Sequence, residues 1–245
     1  MKRLVWMALA VSSMASWGRL AVGAEAAHDF GRWEKDIAAY EQMDRTNPPP
    51  KGAVLFIGSS TIARWKTLAE DFPDQRVVNR GFSGSEIVDS THFAERIVFP
   101  YQPRKIVLRA GGNDLHAGKS AERVFADYQE FVVRIQAKLP QAEIVFISLS
   151  PSIARWSEAD RTKALNAMVE EYTRRTPRLK YVEAYAISLG PDGQPRPEVF
   201  DADKLHFNAE GYTLLAEKVR PFLTPLAGRF APPPAGGKLG QTESL

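Results

Sequence analysis

Ala53-Val54-Leu55-Phe56-Ile57-Gly58-Ser59-Ser60 is the stretch of sequence that decides the fold. Its first five residues form an unbroken apolar run, with Gly52 before it and Gly58 after it. A short, continuous apolar run of this kind is typical of a β-strand buried on both faces. A strand is buried on both faces when a parallel sheet lies between two layers of helices, so this run favours such a sheet.

The rest of the chain alternates between similar apolar runs and helical periods. The other predicted strands are Val77-Val78, Ile106-Val107-Leu108, Ile144-Val145-Phe146-Ile147 and Tyr181-Val182. The predicted helices lie near residues 30–43, 62–70, 85–98, 121–139, 158–176 and 209–222. Alternating strands and helices predict the α/β class, with a parallel sheet and helices on both of its faces.

The two ends of the chain differ in composition from the middle. A basic start, an apolar stretch over residues 4–17 and small residues up to Ala24 predict a signal peptide over residues 1–24. An uncleaved membrane anchor is the alternative, but serines and Arg19 interrupt the stretch, which is short for a span. The Pro- and Gly-rich residues 231–245 are predicted to be a disordered tail. Residues 25–230 are therefore predicted to form one domain, and the mature form is expected to have no stable membrane span.

The charge and the composition exclude several classes of function. Three of the 32 basic residues, Lys2, Arg3 and Arg19, precede Ala24, so the mature chain would carry 29 basic and 29 acidic residues. A formally neutral chain offers no support for a nucleic-acid partner. The absence of cysteine excludes disulfides and a thiolate nucleophile. The four histidines have no ligand spacing, so neither a metal nor another cofactor is expected.

Four short polar segments follow predicted strands, at positions where a serine hydrolase would assemble its site. They are Gly58-Ser59-Ser60-Thr61, Asn79-Arg80-Gly81, Gly111-Gly112-Asn113-Asp114 and Asp203-Lys204-Leu205-His206. The carboxyl ends of parallel strands meet at one edge of a sheet, where ligands bind. Residues more than a hundred positions apart are therefore expected to meet at this edge.

The residue types in these segments are those that acyl transfer requires. Ser60 is the predicted nucleophile, His206 the base that takes its proton, and Asp203 the carboxylate that orients the imidazole. The backbone N–H of Gly81 and the amide of Asn113 are predicted to stabilise the oxyanion. Each residue has a simpler alternative: a helix cap for Ser60, turn residues for Gly81 and Asn113, and a local ion pair for Asp203 with His206.

With these four segments in this order, the chain resembles the SGNH hydrolases, also called GDSL-type hydrolases, from about residue 51 to residue 218. The resemblance implies a three-layer α/β/α sandwich of flavodoxin-like type with a five-stranded parallel sheet. It also implies that the Ser60 N–H joins Gly81 and Asn113 in the oxyanion hole. The chain departs from the family at Ser59, where the family usually has the aspartate of Gly-Asp-Ser.

The resemblance implies an esterase or lipase that needs no cofactor. We expect an exported serine esterase, periplasmic or secreted, which cleaves carboxylic esters with short acyl groups through an acyl-enzyme. The alternatives are a lysophospholipase or thioesterase, and a non-catalytic protein that binds glycans or lipids on the same fold. Trp65, Trp156 and Phe82 are candidates for a substrate subsite or for the core, and His116 is a candidate for the cavity wall. The sequence indicates no oligomeric state.

Overall fold

The computed structural model describes residues 28–223. The predicted signal peptide and the predicted tail lie outside the described residues. A single five-stranded sheet occupies the centre, with the strand order β2-β1-β3-β4-β5. Its strands are β1 (Val54–Gly58), β2 (Val77–Gly81), β3 (Lys105–Arg109), β4 (Glu143–Ile147) and β5 (Leu179–Val182).

All neighbouring strands run parallel, which confirms the predicted sheet. The pairing register brings three strand ends level with one another. Gly58 at the end of β1 lies opposite Gly81 at the end of β2 and opposite Arg109 at the end of β3. The loops that follow these three strands therefore begin side by side at one edge of the sheet.

Helices connect the strands on both faces of the sheet. They are α1 (Glu34–Thr46), α2 (Ser60–Ala63), α3 (Leu68–Asp71), α4 (Ile87–His92), α5 (Ala94–Ile97), α6 (Gly112–His116), α7 (Ala121–Lys138), α8 (Ala159–Arg175) and α9 (Ala209–Val219). None of the helices described between residues 28 and 223 has the length and apolarity required to cross a membrane.

Two of the predicted helices are each broken into two. The period over residues 62–70 becomes α2 and α3, and the period over residues 85–98 becomes α4 and α5. Between α2 and α3 the chain turns so that Trp65 is buried, and its indole N–H donates to Asp71 Oδ2 at 2.6 Å. The helix is therefore interrupted at the point where the chain turns to bury this large side chain.

The side chains of β1 alternate between two apolar layers. Leu55 and Ile57 belong to the layer formed with α1, α4, α5, α7 and α8. Val54 and Phe56 belong to the layer formed with α2, α3 and α9. All four side chains are completely buried, so the strand is covered on both faces as its sequence predicts.

Candidate active site

Ser60 is the first residue of α2, and only Ser59 separates it from the end of β1. Gly58 makes this sharp turn possible, because its φ is +137° and a Cβ there would lie 2.1 Å from the carbonyl oxygen of Arg109. Ser59 is the N-cap residue, but its side chain makes no capping hydrogen bond. The turn therefore holds Ser60 at the carboxyl edge of the sheet, where the sequence predicts it.

Asp203 and His206 lie together on a short turn before α9. Asp203 Oδ1 accepts the backbone N–H groups of Leu205 and His206, each at 3.0 Å. Asp203 Oδ2 lies 2.6 Å from Nδ1 of the His206 imidazole. The His206 N–H, the imidazole and the Leu205 N–H together hold the pKa of the Asp203 carboxyl well below its usual range. Asp203 is therefore a carboxylate at neutral pH and can accept a hydrogen bond from Nδ1–H.

The same imidazole reaches Ser60 through its other nitrogen. His206 Nε2 lies 3.0 Å from Ser60 Oγ, although the two residues are 146 positions apart in the chain. The hydroxyl of Tyr212 on α9 donates to the carbonyl of Thr61 at 2.9 Å, which joins α9 to the turn that carries Ser60. The structure therefore brings Ser60, His206 and Asp203 into one continuous hydrogen-bonded chain.

Ser60 and His206 open into a cavity of about 360 Å³. Its wall comes from the loops that follow β1, β2, β3 and β4 and from the chain before α9. The lining residues are Ser59, Ser60, Thr61, Arg64, Ser83, Gly84, Arg109, Gly112, Asn113, Leu149, Ser150, Pro151, Ser152, Arg155, Glu158, Thr162, Phe200, Leu205, His206 and Phe207.

Asn113 lies in this wall, and two neighbours fix the orientation of its amide. Its Nδ2 donates to the carbonyl of Ser85 at 2.9 Å, and its Oδ1 accepts from Arg155 Nη1 at 3.1 Å. An amide nitrogen carries two hydrogens, so one N–H of Asn113 is left for another acceptor. The structure thus places Asn113 in the wall of the cavity that Ser60 also lines.

The structure does not bring Gly81 to the cavity, and this corrects the prediction for that residue. The Gly81 N–H donates to the side chain of Asn79 at 2.9 Å, and Gly81 is absent from the described cavity wall. Gly81 packs instead against α2, where a Cβ would lie 2.3 Å from the backbone nitrogen of Ala63. Because Gly81 has no side chain, α2 can pack closely against β2.

Gly84 occupies the position in the cavity wall that was expected for Gly81. Its φ of +84° is in the left-handed region that favours glycine. Within residues 28–223, neither the Gly84 N–H nor the Ser60 N–H has a hydrogen-bond acceptor. Two residues of the cavity wall therefore carry a backbone N–H without an acceptor among the described residues, in addition to the Asn113 amide.

The sequence reasoning missed one arginine of the cavity wall, Arg109, whereas Arg155 lies in the segment after β4, residues 148–156, that was a candidate for the pocket. Arg109 is the last residue of β3 and is buried, and Arg155 follows β4 and contacts Asn113. Burial lowers the pKa of Arg109 to about 10, so its guanidinium stays charged at neutral pH. A basic residue at a strand end usually lies in solvent, so no pattern in the sequence indicated Arg109.

The other candidate residues lie outside the cavity wall. Trp65 and Phe82 are buried in the two apolar layers, and Trp156 does not line the cavity. Nδ1 of His116 lies 2.7 Å from Oε1 of Glu158. Of these two residues, Glu158 lines the cavity and His116 does not. Between residues 28 and 223, no cluster of three or more histidine, aspartate or glutamate side chains has a geometry suited to a metal ion.

The comparison with protein families places this arrangement in a known group. Residues 52–214 match the model of the GDSL-like lipase/acylhydrolase family. The chain belongs to that family. Its members are acylhydrolases, and the matched segment includes Ser60, Asn113, Asp203 and His206. No curated protein matches the chain in sequence.

Several solved structures share the fold of the chain at low sequence identity. A Streptococcus pneumonia protein provisionally named a platelet activating factor is 19% identical, with a TM-score of 0.70, over 80% of this chain and 94% of its own. A GDSL-like lipase from Bacteroides thetaiotaomicron is 19% identical, with a TM-score of 0.65, over 80% and 97%. A variant of an acetyl-xylooligosaccharide esterase from Geobacillus Stearmophilus is 18% identical, with a TM-score of 0.57, over 74% and 99%.

Proposed function

We propose that this protein is an exported serine esterase that hydrolyses carboxylic esters with short acyl groups through an acyl-enzyme intermediate. The observation that carries the proposal is the hydrogen-bonded chain from Ser60 Oγ through the His206 imidazole to Asp203. A serine activated in this way is the arrangement that acyl transfer uses.

The first half of the reaction transfers the acyl group to Ser60. With Nδ1–H donating to Asp203, the lone pair of His206 Nε2 accepts the Ser60 proton. Oγ then attacks the ester carbonyl and forms a tetrahedral intermediate. As the intermediate collapses, His206 returns its proton to the departing alkoxide, and the alcohol leaves. Asp203 stays ionised throughout and stabilises the imidazolium.

The second half releases the acid. A water molecule gives its proton to His206 and attacks the acyl-enzyme carbonyl, and collapse of this intermediate returns the proton to Ser60 Oγ. Both tetrahedral intermediates carry a negative oxygen. The N–H groups of Ser60 and Gly84 and the free N–H of Asn113 are the donors proposed to stabilise it.

Two features support a short acyl group and export. The cavity has a volume of only about 360 Å³, and most of its lining residues are polar. An acyl chain of many carbons needs a larger apolar wall, since each buried CH2 contributes about 0.8 kcal/mol only in apolar surroundings. Export is supported by the signal-peptide pattern of residues 1–24.

The test is the hydrolysis of p-nitrophenyl esters of increasing chain length by the wild type and by Ser60→Ala. We expect the wild type to prefer acetate and the variant to lose activity by a factor of at least about 10⁴. Ser59→Ala is the matched control, because Ser59 is the adjacent serine and makes no side-chain capping bond. It should retain most of the activity.

Covalent labelling by a fluorophosphonate completes the test. Labelling of the wild type and not of Ser60→Ala would support Ser60 as the nucleophile. A preference for long chains would indicate a lysophospholipase or thioesterase instead. A folded wild type that neither hydrolyses any ester nor takes the label would contradict the proposal and favour a binding protein.

A further inference from the structure

Positive charge predominates in the wall of the cavity. Three arginines line it, Arg64, Arg109 and Arg155, against one carboxylate, Glu158. The mature chain would be formally neutral, so this excess is a local property of the cavity. A positive cavity with low-dielectric walls attracts anionic ligands.

Arg109 is the most unusual of the three because it is buried without an acidic partner. Only 5% of its surface is exposed, and no carboxylate of residues 28–223 lies within 4.0 Å of it. Its Nη1 donates to the Ser148 carbonyl, and its Nη2 donates to Ser150 Oγ at 3.3 Å. A guanidinium has five N–H donors, so two bonds to neutral groups leave donors uncommitted.

Burial of an unpaired charge is costly, and proteins normally pair such a charge. The aromatic ring of Phe207, 5.6 Å from the Arg109 guanidinium carbon, offsets part of this cost. It supplies no formal negative charge. Since both residues line the cavity, an anion bound there would supply the missing counter-charge.

The acidic groups near the cavity do not neutralise it. Glu158 Oε1 lies 2.7 Å from the His116 imidazole, and its charge also acts on Arg155, which within residues 28–223 donates hydrogen bonds to the neutral oxygens of Gly112 and Asn113 and to no carboxylate. Arg64 lies 3.7 Å from Asp203, whose carboxylate already accepts three hydrogen bonds from its own turn. The cavity therefore keeps a net positive charge beside the reactive hydroxyl.

We propose that the ester cleaved at this site carries an anionic group, a carboxylate or a sulfate, and that the guanidinium of Arg109 binds it. This inference rests on the proposed esterase function. Arginine binds carboxylate and sulfate through paired N–H donors, which gives both affinity and orientation. The anionic group belongs either to the alcohol or to the acyl part of the ester, and the experiment separates the two.

The experiment compares two pairs of esters that differ in charge. For the alcohol side the pair is para-acetoxybenzoate and para-acetoxybenzamide. For the acyl side it is p-nitrophenyl hemisuccinate and p-nitrophenyl butyrate. Each kcat/KM is divided by the rate constant of alkaline hydrolysis of the same ester, and the anionic-to-neutral ratio is then taken within each pair.

We expect the wild type to favour the anionic ester by at least tenfold in one of the two pairs, and that pair identifies the side. Arg109→Gln should lower this ratio at least tenfold, and Arg109→Lys, which keeps the charge but loses the paired N–H donors, should lower it less. Arg175→Gln is the matched control: Arg175 is 78% exposed and lies at the far end of α8 from the cavity-lining Thr162. It should leave the ratio unchanged.

Ser59→Asp provides a second, independent variant, because it adds a carboxylate to the same wall as Arg109. It should also lower the ratio, and it decides the matter if Arg109→Gln fails to fold. A wild-type ratio near one in both pairs, or a ratio that Arg109→Gln and Ser59→Asp leave unchanged, would overturn the inference. Hydrolysis of the neutral esters would then still support the esterase, whereas loss of all hydrolysis would contradict the proposed function itself.

Discussion

The side-chain amide of Asn113 is fixed by hydrogen bonds at both its nitrogen and its oxygen. The Ser85 carbonyl and Arg155 hold its amide from both sides, and its remaining N–H is free for an oxyanion. We expect Asn113→Ala to lower kcat by about 10²–10³, the usual cost of one oxyanion donor. Steady-state kinetics on p-nitrophenyl acetate measure this, with the melting temperature as the control for folding. A fall of less than threefold would remove Asn113 from this role.

Substitution of either of the two glycines near the site is expected to lower stability, but by different amounts and for different reasons. We expect Gly81→Ala to reduce the free energy of unfolding by about 3 kcal/mol, the upper end of the usual cost of overpacking, because its Cβ would overlap the backbone of α2. Gly84→Ala should cost only about 1–2 kcal/mol, the strain of a positive φ. Its nearest contact would be the Arg32 side chain at 3.5 Å. Urea denaturation of both variants measures this, and the reverse order would contradict the packing described here.

At the residue scale, the sequence predicted the side chains of the site better than its backbone donors. Ser60, Asp203 and His206 could be found because their residue types and order point to one chemistry. The prediction of Gly81 as an oxyanion donor was wrong because two glycines lie three positions apart. Only the structure shows which of their N–H groups is already bonded to Asn79. Arg109 could not be found, since its burial depends on the loop that follows a different strand.

At the scale of elements, α1 is attached to the edge strand β2 by a buried ion pair. Arg80 on β2 pairs with Asp44 on α1, and it also donates to Tyr101 Oη at 2.9 Å. We expect Asp44→Ala to reduce the free energy of unfolding by about 3–5 kcal/mol, because it leaves a buried guanidinium without its counter-charge. Asp44→Asn keeps an acceptor and should cost less. A loss below about 1 kcal/mol in urea denaturation of Asp44→Ala would contradict this.

The junction between α6 and α4 contains a carboxyl group that makes stability depend on pH. Burial raises the pKa of Asp114 from 3.8 to about 6, although the charge of Lys119 opposes the shift. Between these values the folded state binds a proton that the unfolded state has released, so the free energy of unfolding falls as pH rises. The full effect is about 3 kcal/mol for a shift of this size.

The matching experiment compares the wild type with Asp114→Asn at a series of pH values. The amide of this variant could still accept the N–H of Ile87, which Asp114 accepts at 3.3 Å, but it would not titrate. The wild type should lose stability relative to the variant as pH rises from about 4 to 6. A difference that is constant over this interval would show that Asp114 is not the titrating group.

The elements themselves were largely predictable, with exceptions that have a physical cause. Apolar runs indicated the five strands because every strand places apolar side chains against the helices that cover the sheet. The sequence predicts one helix over residues 62–70 and one over residues 85–98, because the hydrophobic periodicity does not show where a helix is interrupted. The break after α2 depends on the burial of Trp65, a tertiary contact that no local pattern contains.

At the scale of the whole molecule, the export proposal predicts a shortened chain. We expect the protein isolated from its native host to begin near residue 25, because the small residues up to Ala24 suit cleavage. Intact-mass measurement of the purified protein decides this. A mass that includes Met1 or the apolar stretch would contradict cleavage and favour the membrane anchor.

The site combines residues from both ends of the fold, since Ser60 follows the first strand and His206 precedes the last helix. The hydroxyl of Tyr212 then joins that helix to Thr61. All five strands precede His206, the proposed base, in the chain. Under the proposed mechanism, the chain would hydrolyse esters only once the segment before its last helix has joined the sheet, so that the onset of hydrolysis would report the completion of folding.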